Sequence, residues 1–251
     1  MRTLKLLVAY DGSAYHGFQL QKDVVTVQGV LEAALAKLCG EPVRVAASGR
    51  TDTGVHALGQ VISFATSGRI ACADLVRAAN GMLPKDMVVI SAEEADAGFH
   101  ARFSARWKTY EYRLVINARH DPFLERYAWQ LRTQPEVETM NRAAAELVGT
   151  HDFTGFQSSG SENGSPIKTI YEAFFRSEAE ALVFRISGNG FLYHMVRNIV
   201  WLLVQVGLNA CALDDFKAKL DQEAGGPLNR PAPPQGLYLL KVGYADFPEA
   251  G

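Results

Sequence analysis

One order of elements can be read twice along this 251-residue chain: strand, helix, two strands, helix, strand. It constrains the fold more than any single motif. Residues 3–10 predict a strand, with Leu4, Leu6, Val8 and Tyr10 on one face. Val27, Val30, Leu31, Ala34, Leu35 and Leu38 then recur at the helical period, and Gly40 stops that helix. Residues 43–47 and 60–66 read as short strands. Leu75, Ala78, Ala79 and Met82 mark a second helix before Pro84, and residues 87–92 read as another strand. This β-α-β-β-α-β order is ferredoxin-like.

The second half repeats the order without repeating the residues. Within 103–117, Tyr110, Tyr112, Leu114 and Ile116 alternate with Thr109, Glu111 and Arg113. Val137, Met140, Ala144, Leu147 and Val148 mark a helix closed by Gly149. Strands at 168–176 and 182–187, a long apolar helix from about 193 to 206, a short helix at 213–220 and a strand at 237–244 complete the series. The expected fold class is α+β: two ferredoxin-like halves, 1–97 and 98–251, joined into one mixed, mainly antiparallel sheet with helices on one side. No linker separates the halves near Gly98, which favours a continuous sheet over independent domains. Residues 157–166, rich in Ser and Gly, and 225–235, with four prolines, read as exposed loops.

Composition removes several classes. Hydrophobic residues make up 48% and charged residues 21%, an ordinary globular balance. The formal charge of −2 means that any surface for a polyanion must come from local clustering. Cys39, Cys72 and Cys211 are isolated and odd in number, which predicts a reducing, cytoplasmic setting. The N-terminus opens directly on a strand, so no secretory signal is expected. The longest apolar run, 199–208, is broken by Gln205 and Gly207 and falls short of the roughly 18 residues that a membrane span needs.

Residues 47–60 are the stretch best suited to chemistry. Gly49, Gly54 and Gly59 surround Arg50 and Asp52, and a strand follows at once. Glycines let backbone approach a ligand closely, and a nearby cation keeps a carboxylate ionised. Asp52 is therefore a candidate nucleophile or base, although Asp-Thr-Gly is equally ordinary turn chemistry. The five-residue glycine spacing fits neither a dinucleotide nor a phosphate-loop fingerprint, so no nucleotide cofactor is expected.

Charge and aromatic rings gather further on. Between Gly98 and Arg132, Arg102, Arg106, Lys108, Arg113, Arg119, Arg126 and Arg132 face only Glu111, Asp121 and Glu125. Phe99, Phe103, Trp107, Tyr110, Tyr112, Phe123, Tyr127 and Trp129 are interleaved with them. Cations that meet phosphates and rings that stack bases have this composition, and so do strands that fill a core. Arg197 opens an otherwise apolar helix; it needs a partner, for which Asp52 qualifies, or else snorkels to the surface. His56 and His194 lack metal-ligand spacing and read as neutral structural or RNA-contacting residues.

Taken together, five stretches resemble the bacterial tRNA pseudouridine synthase A family. They are Tyr10-Asp11-Gly12 with Gly17-Phe18-Gln19, the run from Gly49 to Ala57, the run from Phe99 to Ala105, the run from His194 to Val200, and Gly236-Leu237-Tyr238-Leu239. In this resemblance Asp52 matches the catalytic aspartate and Arg50 the arginine of the same loop. Tyr110 matches the tyrosine that packs on the uracil, Arg197 the arginine paired with the aspartate, and Leu237 the apolar motif beneath the base. Thr53 stands where the family usually has Ala, which removes no catalytic group. The resemblance implies isomerisation of uridine to pseudouridine at positions 38–40 of the tRNA anticodon arm, by a homodimer that binds the RNA across both subunits, with no metal and no cofactor. Arg102, Arg106 and Lys108 are the candidate RNA contacts. Two other classes are set against it: a non-catalytic RNA-binding protein, and a hydrolase acting at C1′, which normally needs a carboxylate pair that the Asp52 loop lacks.

Overall fold

Alternation along the first strand, β1 (Arg2–Tyr10), decides the first layer: Leu4, Leu6 and Val8 are 0% exposed and Tyr10 is buried beside them, while their odd-numbered neighbours stay partly open. The computed structural model describes residues 1–117, 119–158, 165–179, 181–221 and 228–248. After β1 come α1 (Val27–Cys39), β2 (Ala46–Ala47), β3 (His56–Thr66), α2 (Cys72–Met82) and β4 (Met87–Ala95). β1 lies between β3 and β4, antiparallel to both. The apolar face of α1 is set by its period, its start by Thr26, whose side chain accepts from the Gly29 amide, and its end by Gly40 at φ 71°. α2 packs on β4 and beside α1.

Several boundaries differ from expectation, three of them for a plain physical reason. The strand expected at 43–47 shrinks to β2, because the Val45 amide donates to the Glu32 carboxylate (3.0 Å) instead of a neighbouring strand. β3 begins at His56 rather than Gln60, since β1 pairs along it as far as Tyr10 opposite Ala57. Residues 98–106 stay with the first half: Ala101 N donates to Ser63 Oγ (2.9 Å), and Arg106 N to the Gly243 carbonyl (2.9 Å). The chain accordingly divides into two compact units, Met1–Arg106 with Tyr238–Asp246, and the described residues of Trp107–Leu237 and Phe247–Gly251.

In the second unit β5 (Trp107–Ile116) is buried on both faces rather than alternating: Tyr112 and Leu114 are 0% exposed, and Thr109 and Glu111 on the opposite face are buried as well. β6 (Trp129–Leu131) runs parallel to its end. Then follow α3 (Val137–Ala145), β7 (Gly149–Asp152), β8 (Ile167–Glu178), β9 (Ala181–Gly188), α4 (Met195–Gly207) and α5 (Leu213–Leu220). The strands lie in the order β5-β9-β8-β7, each antiparallel to the next. β6 and β7 were not expected; at three and four residues they are too short to show a period. α4 is the centre of this unit: Ile199, Val200, Leu203 and Val204 are all 0% exposed, each contributing roughly 1.5–3 kcal/mol by burial. Its Gly207 admits Met140 of α3, whose Sδ would lie 2.7 Å from an added Cβ.

The last strand, β10 (Leu237–Gly243), runs parallel to β3 from Tyr238, which faces His56. Among the described residues ten strands, mixed and mainly antiparallel, and five α-helices make up the expected α+β architecture. The loops expected at 157–166 and 225–235 are only partly described, because 159–164 and 225–227 lie outside the described residues. Within the second, Asn229 and Arg230 are exposed as expected, but Ala232 is 0% exposed, and the Tyr112 hydroxyl donates to the Pro233 carbonyl (2.7 Å).

Candidate active site

Asp52 sits in a loop whose backbone is held on several sides. Ser48 N donates to the Val61 carbonyl at 2.8 Å, and Ser48 Oγ to Gln60 Oε1 at 2.7 Å. Gln60 Nε2 donates to the Gly49 carbonyl at 2.8 Å. Thr51 Oγ1 lies 2.8 Å from the Tyr10 hydroxyl, and the Thr51 carbonyl accepts from Phe18 N at 3.0 Å. A turn then closes from Val55 N to the Asp52 carbonyl (3.1 Å), with Gly54 at φ 77° supplying the left-handed position. Asp52 itself is half-buried.

Two N-terminal glycines are the reason this loop can be so closely packed. A Cβ on Gly12 would lie 2.0 Å from the Val55 carbonyl oxygen. Gly17, at φ 82°, would place one 2.8 Å from the Thr51 carbonyl oxygen. Reading the residues one stretch at a time missed Tyr10, Ser48, Thr51 and Gln60 as loop supports. The one visible signal was an amide, Gln60, directly before the apolar run Val61-Ile62.

The second unit assembles its own group. Arg197 is 9% exposed on the first turn of α4, so it does not snorkel to the surface. Its Nε donates to the Ala232 carbonyl at 2.7 Å, and Ala232 N donates back to the Arg197 carbonyl at 3.1 Å. Tyr112 is beside it: burial pushes the Tyr112 phenol well above its ordinary value, with the Arg197 charge pulling weakly the other way. Gly236 packs on the Tyr112 ring so closely that a Cβ would come within 2.6 Å. Leu237, 6% exposed, follows directly. Tyr110, 8% exposed, lies two residues before Tyr112 on the same face of β5, its ring edge-on to Phe191 at 5.2 Å.

The candidate RNA contacts differ in circumstance. Arg102 is exposed, with its guanidinium 5.6 Å from the ring of Phe103, itself 77% exposed. Arg106 forms an ion pair with Asp246. Lys108 opposes Gly188 on β5. His56 is buried, its Nδ1 lies 3.1 Å from the Gly12 amide nitrogen and 3.1 Å from an Asp11 carboxylate oxygen, and its ring stacks on Tyr238 at 4.7 Å. Among the described residues no cluster of three or more His, Cys, Asp or Glu is placed to hold a metal ion.

The family model described as tRNA pseudouridine synthase matches residues 6–104 and 143–245. The chain belongs to the tRNA pseudouridine synthase family. Proteins named tRNA pseudouridine synthase A are similar to it along nearly their whole length. The one from Thermoanaerobacter sp. (strain X514) is 42% identical, over 97% of this chain and 100% of its own. The one from Anoxybacillus flavithermus is 44% identical, over 97% and 99%. That from Lacticaseibacillus casei is 42% identical, over 97% and 100%.

Within this synthase the Arg50–Asp52 loop falls in the first matched segment, and Arg197 and Leu237 in the second, while Tyr110 lies between them. The synthases are isomerases. No helix is long and apolar enough to cross a membrane among the described residues.

Proposed function

We propose that this synthase converts uridine to pseudouridine at positions 38–40 of the tRNA anticodon arm, with Asp52 as the reacting carboxylate. The N1–C1′ bond breaks, uracil turns, and C5 bonds to C1′. The proton on C5 leaves and N1 gains one, so nothing is released. A carboxylate serves this sequence as a nucleophile at C1′ or C6, or as a base toward the ribose. The observation that carries the reading is the Asp52 loop, braced by Ser48, Gly49 and Thr51 while its carboxylate-bearing residue stays half-open.

The remaining roles come from the family resemblance. Tyr110 packs on the extruded uracil, Leu237 lies beneath it, and Arg197 and Arg50 take the positions of the family's two site arginines. A base inside a stem is unreachable, so the nucleotide must leave the stack. Arg102, Arg106 and Lys108 meet RNA phosphates, and two copies of the chain bind the RNA as a homodimer. Support for these assignments is the position-by-position match and the burial of Tyr110, Arg197 and Leu237.

The test is pseudouridine formation in unmodified tRNA by the protein and by Asp52→Ala, with tRNA affinity measured in parallel. Product in the anticodon arm from the parent, none from the variant, and matching affinities are expected. Equal binding with no product from either protein would make this an RNA-binding protein without the reaction. Free uracil would make it a hydrolase.

A further inference from the structure

Gln60 is 0% exposed within β3, where the strand continues into Val61-Ile62, and a buried primary amide must satisfy two donors and an acceptor. All its hydrogen bonds run to the Asp52 loop or to Tyr10: Oε1 accepts from Ser48 Oγ at 2.7 Å, and Nε2 donates to the Gly49 carbonyl at 2.8 Å and toward Tyr10 Oη at 3.5 Å. Tyr10 Oη in turn pairs with Thr51 Oγ1 at 2.8 Å. Burial pushes the Tyr10 phenol up to about 12, so it keeps its proton throughout the neutral range. Ser48 and Gly49 precede Arg50, and Thr51 precedes Asp52. The two side chains therefore grip the loop on both sides of its arginine, immediately before its aspartate.

A methionine of similar volume would fill the same space, at the cost of leaving the buried Ser48 hydroxyl and the Gly49 carbonyl without that partner. What it would lose is direction, because hydrogen bonds fix where a loop's carbonyls and hydroxyls point and apolar packing does not. Resting on the reading that Asp52 reacts, we propose that Gln60, with Tyr10, is a positioning residue. The Gln60 amide and the Tyr10 hydroxyl set the orientation of the Asp52 carboxylate, and so act on the rate of isomerisation and not on tRNA binding. Placement errors of about 1 Å in a reacting group cost on the order of 100-fold.

The experiment compares Gln60→Met, Tyr10→Phe and Asp52→Ala with the parent, using unmodified tRNA and enzyme in excess. Single-turnover rate, tRNA dissociation constant and thermal midpoint are recorded for each, and rates are expressed per binding-competent molecule. Gln60→Met is expected to slow the single-turnover step roughly 10- to 100-fold with a dissociation constant within about twofold of the parent's. Tyr10→Phe, which removes only one hydroxyl, is expected to slow it by about tenfold. A purely structural role would lower the thermal midpoint and the competent fraction while leaving the rate per competent molecule alone, and that result overturns the proposal. So does a loss confined to tRNA affinity. Should Gln60→Met fail to fold, the near-isosteric Tyr10→Phe decides: a rate within twofold of the parent's sinks the idea. If Asp52→Ala stays active, the catalytic reading itself has failed; if Asp52→Ala is dead and the two variants are fast, only the positioning role has.

Discussion

Arg197 and Ala232, 35 residues apart, exchange two hydrogen bonds: the guanidinium Nε donates to the Ala232 carbonyl, and the Ala232 amide donates to the Arg197 carbonyl. The cation is thereby fixed on the first turn of α4, the helix end where the macrodipole disfavours positive charge. Lysine keeps the charge but has no planar fork to reach a carbonyl with one nitrogen while presenting others elsewhere. Arg197→Lys is expected to lose about 1–2 kcal/mol of stability in urea titration, from the unmet Ala232 carbonyl. Its single-turnover rate is expected to fall more than tenfold. Parent-like stability would show that the bond to Ala232 contributes nothing.

Glycine positions separate close approach from mere absence of a side chain. Gly12→Ala forces a Cβ to 2.0 Å from the Val55 carbonyl oxygen, so the turn after Asp52 must move. A loss of at least about 2 kcal/mol is expected, with activity falling in step. Gly81, in the last turn of α2, has nothing within 4 Å of an added Cβ, and Gly81→Ala is expected to gain roughly 0.5–1 kcal/mol. Urea titration of both variants checks the contrast.

Glu111 on β5 accepts from Arg185 Nη2 at 2.6 Å and Arg176 Nη2 at 2.7 Å. Burial alone would raise its carboxyl, but the hydrogen bonds from Arg185 and Arg176 outweigh it and hold the group below the ordinary glutamate value. A carboxyl depressed on folding contributes stability that is complete above its unfolded value, near pH 4.3, and is lost as pH falls through the folded one. Glu111→Gln is expected to cost about 2 kcal/mol at pH 7, between the figures for exposed and fully buried pairs, and progressively less below pH 4. The same cost at pH 7 and pH 3 would contradict the ion-pair account.

Salt dependence distinguishes the two exposed arginines before β5. Each phosphate contact contributes roughly 0.7–0.9 to the slope of log affinity against log salt. Arg102→Ala is expected to reduce the slope of tRNA binding by about that amount. Arg106→Ala is expected to reduce it less, because Asp246 already neutralises that guanidinium. Equal reductions would mean that the Arg106–Asp246 pair opens when RNA binds.

How far the sequence could be read depended on how local the cause was. The limits of α1 follow from the period of Val27 to Leu38 and from Gly40, and both are visible in the chain. β2 was overestimated because nothing in residues 43–47 reveals that the Val45 amide turns to Glu32. Asp52 stood out between glycines beside Arg50, yet those residues described a turn as well as a reacting group, and family resemblance made the preference. Arg197 was legible as a cation in need of a partner, but Ala232 as one of its partners was not.

The sequence by itself determined the order of the longer elements, the buried face of β1, the stop of α1 and the family, because side-chain period, turn chemistry and motif identity are properties of neighbouring residues; the helix expected to run on to Gly149 ends instead at Ala145, and Gly149 opens β7. Tertiary structure alone decided what holds the Asp52 loop and what holds Arg197. Tyr10 meets Gln60 across 50 positions and Thr51 across 41, and Arg197 meets Ala232 across 35. A buried donor takes whichever acceptor the fold brings within about 3 Å, and no local pattern in the chain encodes that distance.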